Sequence, residues 1–182
     1  MTTAYLAPIS WYQQYHTTLL AGGEVVIDTA EHYVKQTIRN RCTIAMPDGP
    51  QHLIIPVEAA SSHVPMRDIR ISEHGNWRHH HWNALRTAYG KSPFFEYYAD
   101  ECAPFFASRT HDYLIDFNAA LHEVVCRLLD ITQPVPPAQR HLQPDGTPQS
   151  YYQVFAPRLG FLPDLSILDL LFNMGPESIL YL

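Results

Sequence analysis

The densest chemistry in this chain lies in one short run, Lys35-Gln36-Thr37-Ile38-Arg39-Asn40-Arg41-Cys42, which gathers two guanidiniums, an ammonium, two amides and a thiol. Guanidiniums present planar forks that match carboxylates and phosphates, so Arg39 and Arg41, with Lys35 beside them, could hold an anionic substrate group. A thiol next to those cations would have its pKa lowered, and a Cys42 thiolate with a His nearby would suit acyl transfer. The same residues have a plainer reading. Two arginines can pair with carboxylates across a sheet, and a Cys facing the same way as Ile38 and Ile44 can be a small buried hydrophobe.

Other residues compete for roles. His32 stands three positions before Lys35 and could act as a general base at a strand end. In His79-His80-His81 adjacent side chains diverge on a helix, so the triplet cannot chelate one ion; His81 shares a face with Leu85 and is the inward candidate. Asn118, next to Phe117, is either a clamp to the sheet or a ligand contact. Gln153 lies among Tyr151, Tyr152, Phe155 and Phe161, a wall that could hold a sugar or a base and that core packing would also explain. No HExxH, Cys pair, glycine-rich phosphate loop, dinucleotide fingerprint or GxSxG elbow occurs, so neither a metal nor another cofactor is expected.

The elements that must position these groups follow from periodicity. Lys35 to Met46, a Pro47-Asp48-Gly49 turn and Leu53 to Val57 read as a β-hairpin. Alternation would send Lys35, Thr37, Arg39 and Arg41 to one side of its first strand, and Gln36, Ile38, Asn40 and Cys42 to the other. Ahead of it, Ala4–Pro8, Trp11–Leu20 and Glu24–Asp28 form a β-α-β opening that favours parallel pairing, with Pro8, Ser10 and Asp28 at strand ends. Arg67–Ser72 alternates like a further strand. Helices are predicted over Trp77–Tyr89, from Pro93 through Phe105, over Asp112–Leu129 with Leu114, Phe117, Leu121, Val125 and Leu128 inward, and over Leu165–Met174 with Asp164 as N-cap. The fold class is α/β or α+β: a β-α-β opening and a hairpin in a small mixed sheet, then a mainly helical C-terminal half.

With 182 residues the chain is read as one domain, 1–182, with a Pro-rich surface loop at 134–150. At 46% hydrophobic and 16% charged residues it can bury a full core. A net charge of −6 offers no footprint for nucleic acid. The N-terminus lacks a signal pattern, no run is long enough to span a bilayer, and three scattered cysteines fit a reducing compartment, so a cytoplasmic home is expected.

Ala4-Tyr5-Leu6-Ala7-Pro8-Ile9, Lys35 to Cys42, His81-Trp82, Ser92-Pro93-Phe94-Phe95 and Gly160 to Pro176 together resemble the WbqC-like family of bacterial proteins. Ile38 stands where relatives often carry an aromatic residue, and the Pro-rich stretch before Tyr151 is idiosyncratic. The resemblance implies a bacterial cytoplasmic protein of a family named from surface-polysaccharide (O-antigen) gene clusters. The resemblance carries no mechanism; from the chemistry of the motif residues the leading functional expectation is an enzyme of surface-glycan or related cell-envelope assembly, a transferase moving an acyl or aminoacyl group onto an activated sugar. Arg39 and Arg41 would then grip an anion, with Lys35, Gln36 and Gln153 as further contacts. Asn40 and Asn118 would orient the acceptor, His32 or His81 would move a proton, and Cys42 would form a thioester. A small molecule or sugar nucleotide would be the partner. The competing expectation is a noncatalytic binding or assembly protein, its polar strand paired internally and its C-terminal motif a fold lock or homodimer surface. An open cleft at Arg39, Asn40 and Arg41, or a closed salt-bridge network, separates the two.

Overall fold

The computed structural model describes residues 2–4, 25–27, 29–58, 63–131 and 149–182. Strands β1 (Thr2–Ala4) and β2 (Val25–Ile27) pair in parallel, with Thr3 opposite Val26. This is the pairing expected of the β-α-β opening; its helix, Trp11–Leu20, and the strand-end residues Pro8, Ser10 and Asp28 lie outside the described residues, as does nearly all of 134–150.

The hairpin is shorter than its sequence pattern. Strands β3 (Arg41–Met46) and β4 (Gly49–Ile54) pair antiparallel around Pro47-Asp48, with Met46 opposite Gly49 and Arg41 opposite Ile54. Residues 35–40, expected on the first strand, form turns instead. Gln36 adopts a left-handed φ of 58°, and the Thr37 hydroxyl donates to the Val34 carbonyl at 2.8 Å. Such local bonds offer the backbone an alternative to the ladder. The strand expected at Arg67–Ser72 is also absent. Met66–Asp68 is a 3-10 turn after Pro65, followed by single bridges from Arg70 to Tyr113 and from Ile71 to Val57.

The rest is helical, so the chain has a mixed α/β fold with a mainly helical C-terminal half. Helix α1 (Trp77–Tyr89) has the predicted limits. Beyond it come α2 (Phe95–Cys102) and the short α3 (Pro104–Ala107), which splits the helix predicted from Pro93 so that Phe105 lies on a separate turn. Helix α4 (Leu114–Leu128) buries Leu114, Phe117, Leu121 and Val125, and is followed by α5 (Ala156–Leu159) and α6 (Ile167–Met174). The N-cap of α6 is Ser166, whose hydroxyl accepts from the Leu168 amide; Asp164, expected there, takes a left-handed φ of 62°. Phe117 sits centrally, its ring 5.8 Å from Trp77 and 5.7 Å from Phe105.

The free edge of β3 is closed by two donor–acceptor contacts from elsewhere. The Ser166 amide donates to the Thr43 carbonyl at 2.8 Å, and the Ala45 amide donates to the Tyr89 hydroxyl at 3.3 Å. An exposed strand edge invites pairing with other chains, and here α1 and the approach to α6 occupy it. Helix α6 ends at Gly175, where φ is 55° and a Cβ would run into the Phe94 ring. The Phe94 amide donates to the Phe172 carbonyl at 3.0 Å, and the Phe95 and Phe172 rings meet edge to face. Glycine is required there for space as well as for φ.

Candidate functional site

An open cleft of about 260 Å³ lies beside the start of β3, lined by Tyr33, Lys35, Gln36, Asn40, Arg41, Ile54, Val57 and Glu58. The turns at 35–40 make it: they fold the polar run back over the hairpin instead of extending it. Lys35 and Gln36 are exposed, and Arg41 is half-buried at the first position of β3. One Arg41 nitrogen donates to the Gln36 carbonyl at 2.7 Å, which pins the guanidinium across the turn. Among the described residues, neither Lys35 nor Arg41 has a carboxylate partner. Two cations held beside a concave surface and not consumed in ion pairs can bind an anion.

The floor is built differently. Asn40 is buried; its Nδ2 donates to the Ile55 carbonyl at 2.9 Å and its own carbonyl accepts from the Ile55 amide at 2.8 Å. These bonds continue the hairpin one pair beyond the strand. Tyr33 is buried too, and burial raises its phenol pKa against the lowering influence of Arg39. Ile54 and Val57 supply apolar wall, and exposed Glu58 is anchored by its amide, which donates to the Arg70 carbonyl at 3.0 Å.

Arg39 turns away from this cleft. Its guanidinium forms a two-pronged ion pair with Glu31, and its Nη1 donates to the Thr37 hydroxyl at 3.1 Å. Both charged side chains are nearly sealed from water, at 6% and 10% exposure. Arg39 therefore follows the internally paired alternative, while Arg41, two residues on, is open. The Asn118 amide nitrogen donates to the Arg39 carbonyl at 3.0 Å, so Asn118 clamps α4 to the same segment.

Cys42 and His81 share a different and much smaller space of about 10 Å³, walled by Leu53, Ile55, Phe106, Phe117 and Leu121. Burial pushes the Cys42 thiol up to about 12, the reverse of the lowering expected from neighbouring cations. His81 falls to about 4, chiefly through burial, although a hydrogen bond to the Ile54 backbone counters the drop. A neutral thiol and a neutral imidazole in an apolar shell have neither charge nor solvent access to drive acyl transfer. His32 is exposed, its ring edge-on to His63 at 5.5 Å, and it does not line the cleft. Among the described residues, no group of three or more His, Cys, Asp or Glu side chains is placed to hold a metal ion.

Gln153 belongs to a third polar region. Its amide exchanges two bonds with the Leu162 backbone, both at 2.9 Å, and Nε2 also donates to Asp169 Oδ2 at 3.1 Å. The Tyr151 hydroxyl donates to the same oxygen at 2.7 Å. Asp169 is almost fully buried, and burial raises its carboxyl to about 6, with Tyr151, Tyr89, Gln153 and Asn173 opposing the rise. Tyr151 packs edge-on against Phe161, so the aromatic wall around Gln153 is mainly core; Tyr152 alone of its tyrosines is exposed.

Of the sequence candidates, the cleft brings together Lys35, Gln36, Asn40 and Arg41 and excludes Arg39, Cys42, His32, His81, Asn118 and Gln153. Tyr33 and Glu58 were not anticipated, since no motif marks them. Asp169 was also missed, although a carboxylate inside the apolar run Leu165 to Phe172 is itself a sign of a buried partnered charge.

The chain belongs to the WbqC-like protein family, whose model matches residues 7–149. That span takes in the hairpin run, His81-Trp82 and Ser92 to Phe95, and stops short of Gly160 to Pro176. The chain is also similar to the uncharacterized protein Rv1507c of Mycobacterium tuberculosis, 25% identical in an alignment 205 positions long, gaps included, that covers 87% of each protein. No solved structure matches the chain. Among the described residues, no helix is long and apolar enough to cross a membrane.

Proposed function

We propose that the cleft binds an anionic, sugar-sized molecule, and that the protein acts in the bacterial cytoplasm in surface-polysaccharide or cell-envelope biosynthesis as a transferase on an activated sugar. The observation that carries the binding part is the pair Lys35 and Arg41, two cations on one concave surface without carboxylate partners among the described residues. Size narrows the ligand. Sites that enclose a drug-sized molecule run to roughly 300–1,000 Å³, so about 260 Å³ accommodates one sugar ring with its phosphate, or that end of a larger donor. The family's association with polysaccharide gene clusters supports a sugar over other anions. In this reading transfer is direct, because Cys42 sits in the core and not beside the ligand.

Titration calorimetry with hexose phosphates and nucleotide sugars tests the proposal. Binding should weaken about tenfold or more in Arg41→Ala, the loss typical of a charged hydrogen bond, with melting temperature little changed. A ligand panel that gives no heat, or affinity untouched by Arg41→Ala, would refute the cleft as the site.

A further inference from the structure

The cleft carries a third charge, and it is of the opposite sign. Glu58 lines the same space as Lys35 and Arg41, is exposed, and forms no ion pair among the described residues. Opposite charges on one small concave surface would be expected to close on each other if their backbones allowed it. They form no ion pair among the described residues: the Arg41 guanidinium is held by its bond to the Gln36 carbonyl, and the Glu58 backbone by the hydrogen bond from its amide to the Arg70 carbonyl, next to the Val57 to Ile71 bridge. The nearest structural use for Glu58 is to balance Arg109. That guanidinium is held chiefly by Asp112, with which it bonds at 2.7 Å, and Glu58 contributes least among its acidic neighbours.

Resting on the anion-binding reading above, we infer that the ligand is dipolar: a sugar-ring-sized molecule whose phosphate or carboxylate meets Lys35 and Arg41 while an ammonium group meets Glu58. Glu58 is then the residue that determines specificity for amino-bearing molecules over their hydroxyl counterparts. The lining supports this division. Ile54 and Val57 form an apolar wall against which a ring can lie, and Tyr33 and Gln36 bring polar groups to the same cleft. A site with cations alone would take any anion of suitable size; the carboxylate adds repulsion against ligands with a second negative charge at that end.

The probes are glucosamine 6-phosphate and glucose 6-phosphate, which share ring and phosphate and differ by an ammonium in place of a hydroxyl. By titration calorimetry the wild-type chain should prefer the amino compound by about tenfold, as for a hydrogen bond to a charged group. Glu58→Gln should abolish the preference by weakening only the amino compound, whereas Arg41→Ala should weaken both. Equal affinities in the wild type, or a preference kept in Glu58→Gln, would overturn the dipolar ligand and leave the anion cleft standing. Binding of neither compound would overturn both readings for this ligand size.

Discussion

The hairpin run and the C-terminal segment are both polar groups set among apolar neighbours, yet they end in opposite states. At Lys35 to Arg41 the chain folds into turns that leave two cations facing an open cleft. At Tyr151 to Asn173 the polar atoms turn to one another. Asp169 receives Tyr151 and Gln153, Asn173 Nδ2 donates to the Asp169 carbonyl at 2.7 Å, and Asn173 Oδ1 accepts from the Val154 amide at 3.2 Å. Asp169 Oδ2 is thus satisfied, while its Oδ1 is buried with no hydrogen-bond partner among the described residues; a ligand site, by contrast, needs groups that the fold leaves available to solvent. The first region leaves its charges open, as the proposed binding role requires, and the second ties α6 to the segment from Tyr151 to Leu162. Within the hairpin run the same division falls between neighbours: Arg39 is closed and Arg41 is open.

Removing a closed charge should cost the most. Arg39→Ala leaves Glu31 nearly buried without its ion-pair partner, and such losses run to about 3–5 kcal/mol. In a chain of this size that is a fall of roughly 10 °C or more in melting temperature. Urea unfolding compared with Arg41→Ala measures the contrast. Similar costs for the two variants would erase the distinction between the arginines.

The contrast between those residues shows what the sequence makes legible. Helix α1 was readable because Asn76 and Gly90 bracket an amphipathic stretch, and α4 because its apolar stripe holds the 3.6-residue period over four turns. The run 35–40 misled because its alternation imitates a strand, while the turn depends on Gln36 taking a left-handed φ and on a Thr37 bond back to Val34. Four of the cleft's polar residues were nevertheless legible, since charge density needs no strand to be noticed. Arg39 could not be separated from Arg41, because its partner Glu31 is found only when the chain folds back. Glu58 reaches the cleft through the single bridge between Val57 and Ile71, a long-range event with no local signature.

Two buried titratable groups, Asp169 in the C-terminal segment and His81 beside Cys42, predict a pH response of intermediate size. Asp169 is raised from 3.8 to about 6, so its neutral form favours the native state; that stability is complete below about pH 4 and lost as pH rises through 6. His81 is lowered from 6.5 to about 4, so its stability is present above pH 6.5 and lost as pH falls toward 4. Each shift corresponds to about 3 kcal/mol. The two slopes oppose each other over the same window, and their sum should be nearly flat between pH 4 and 6.5. Asp169→Asn removes one of them, so its unfolding free energy should climb by about 3 kcal/mol across that window. Urea titrations at several pH values read this directly; a variant whose profile runs parallel to wild type would mean that Asp169 is not held neutral by its burial.

The smallest effect falls on the residue that borders the hairpin run on its core side. Cys42 follows Arg41 directly, and alternation on β3 turns it to the opposite face, into the void shared with His81, Phe106 and Phe117. Cys42→Ser replaces a weakly polar thiol with a hydroxyl in an apolar shell too small for a water molecule to bridge it. The expected cost is about 2 kcal/mol of stability, the usual order for burying a hydroxyl without a partner. Ligand affinity should stay within about twofold, because Cys42 faces the core side of β3 and does not line the cleft. A thiolate nucleophile would behave the other way, with stability nearly unchanged and turnover lost. If Cys42→Ser abolishes turnover while the protein melts at the wild-type temperature, the void must open to the cleft during the reaction, and the core side of β3 takes part in the chemistry.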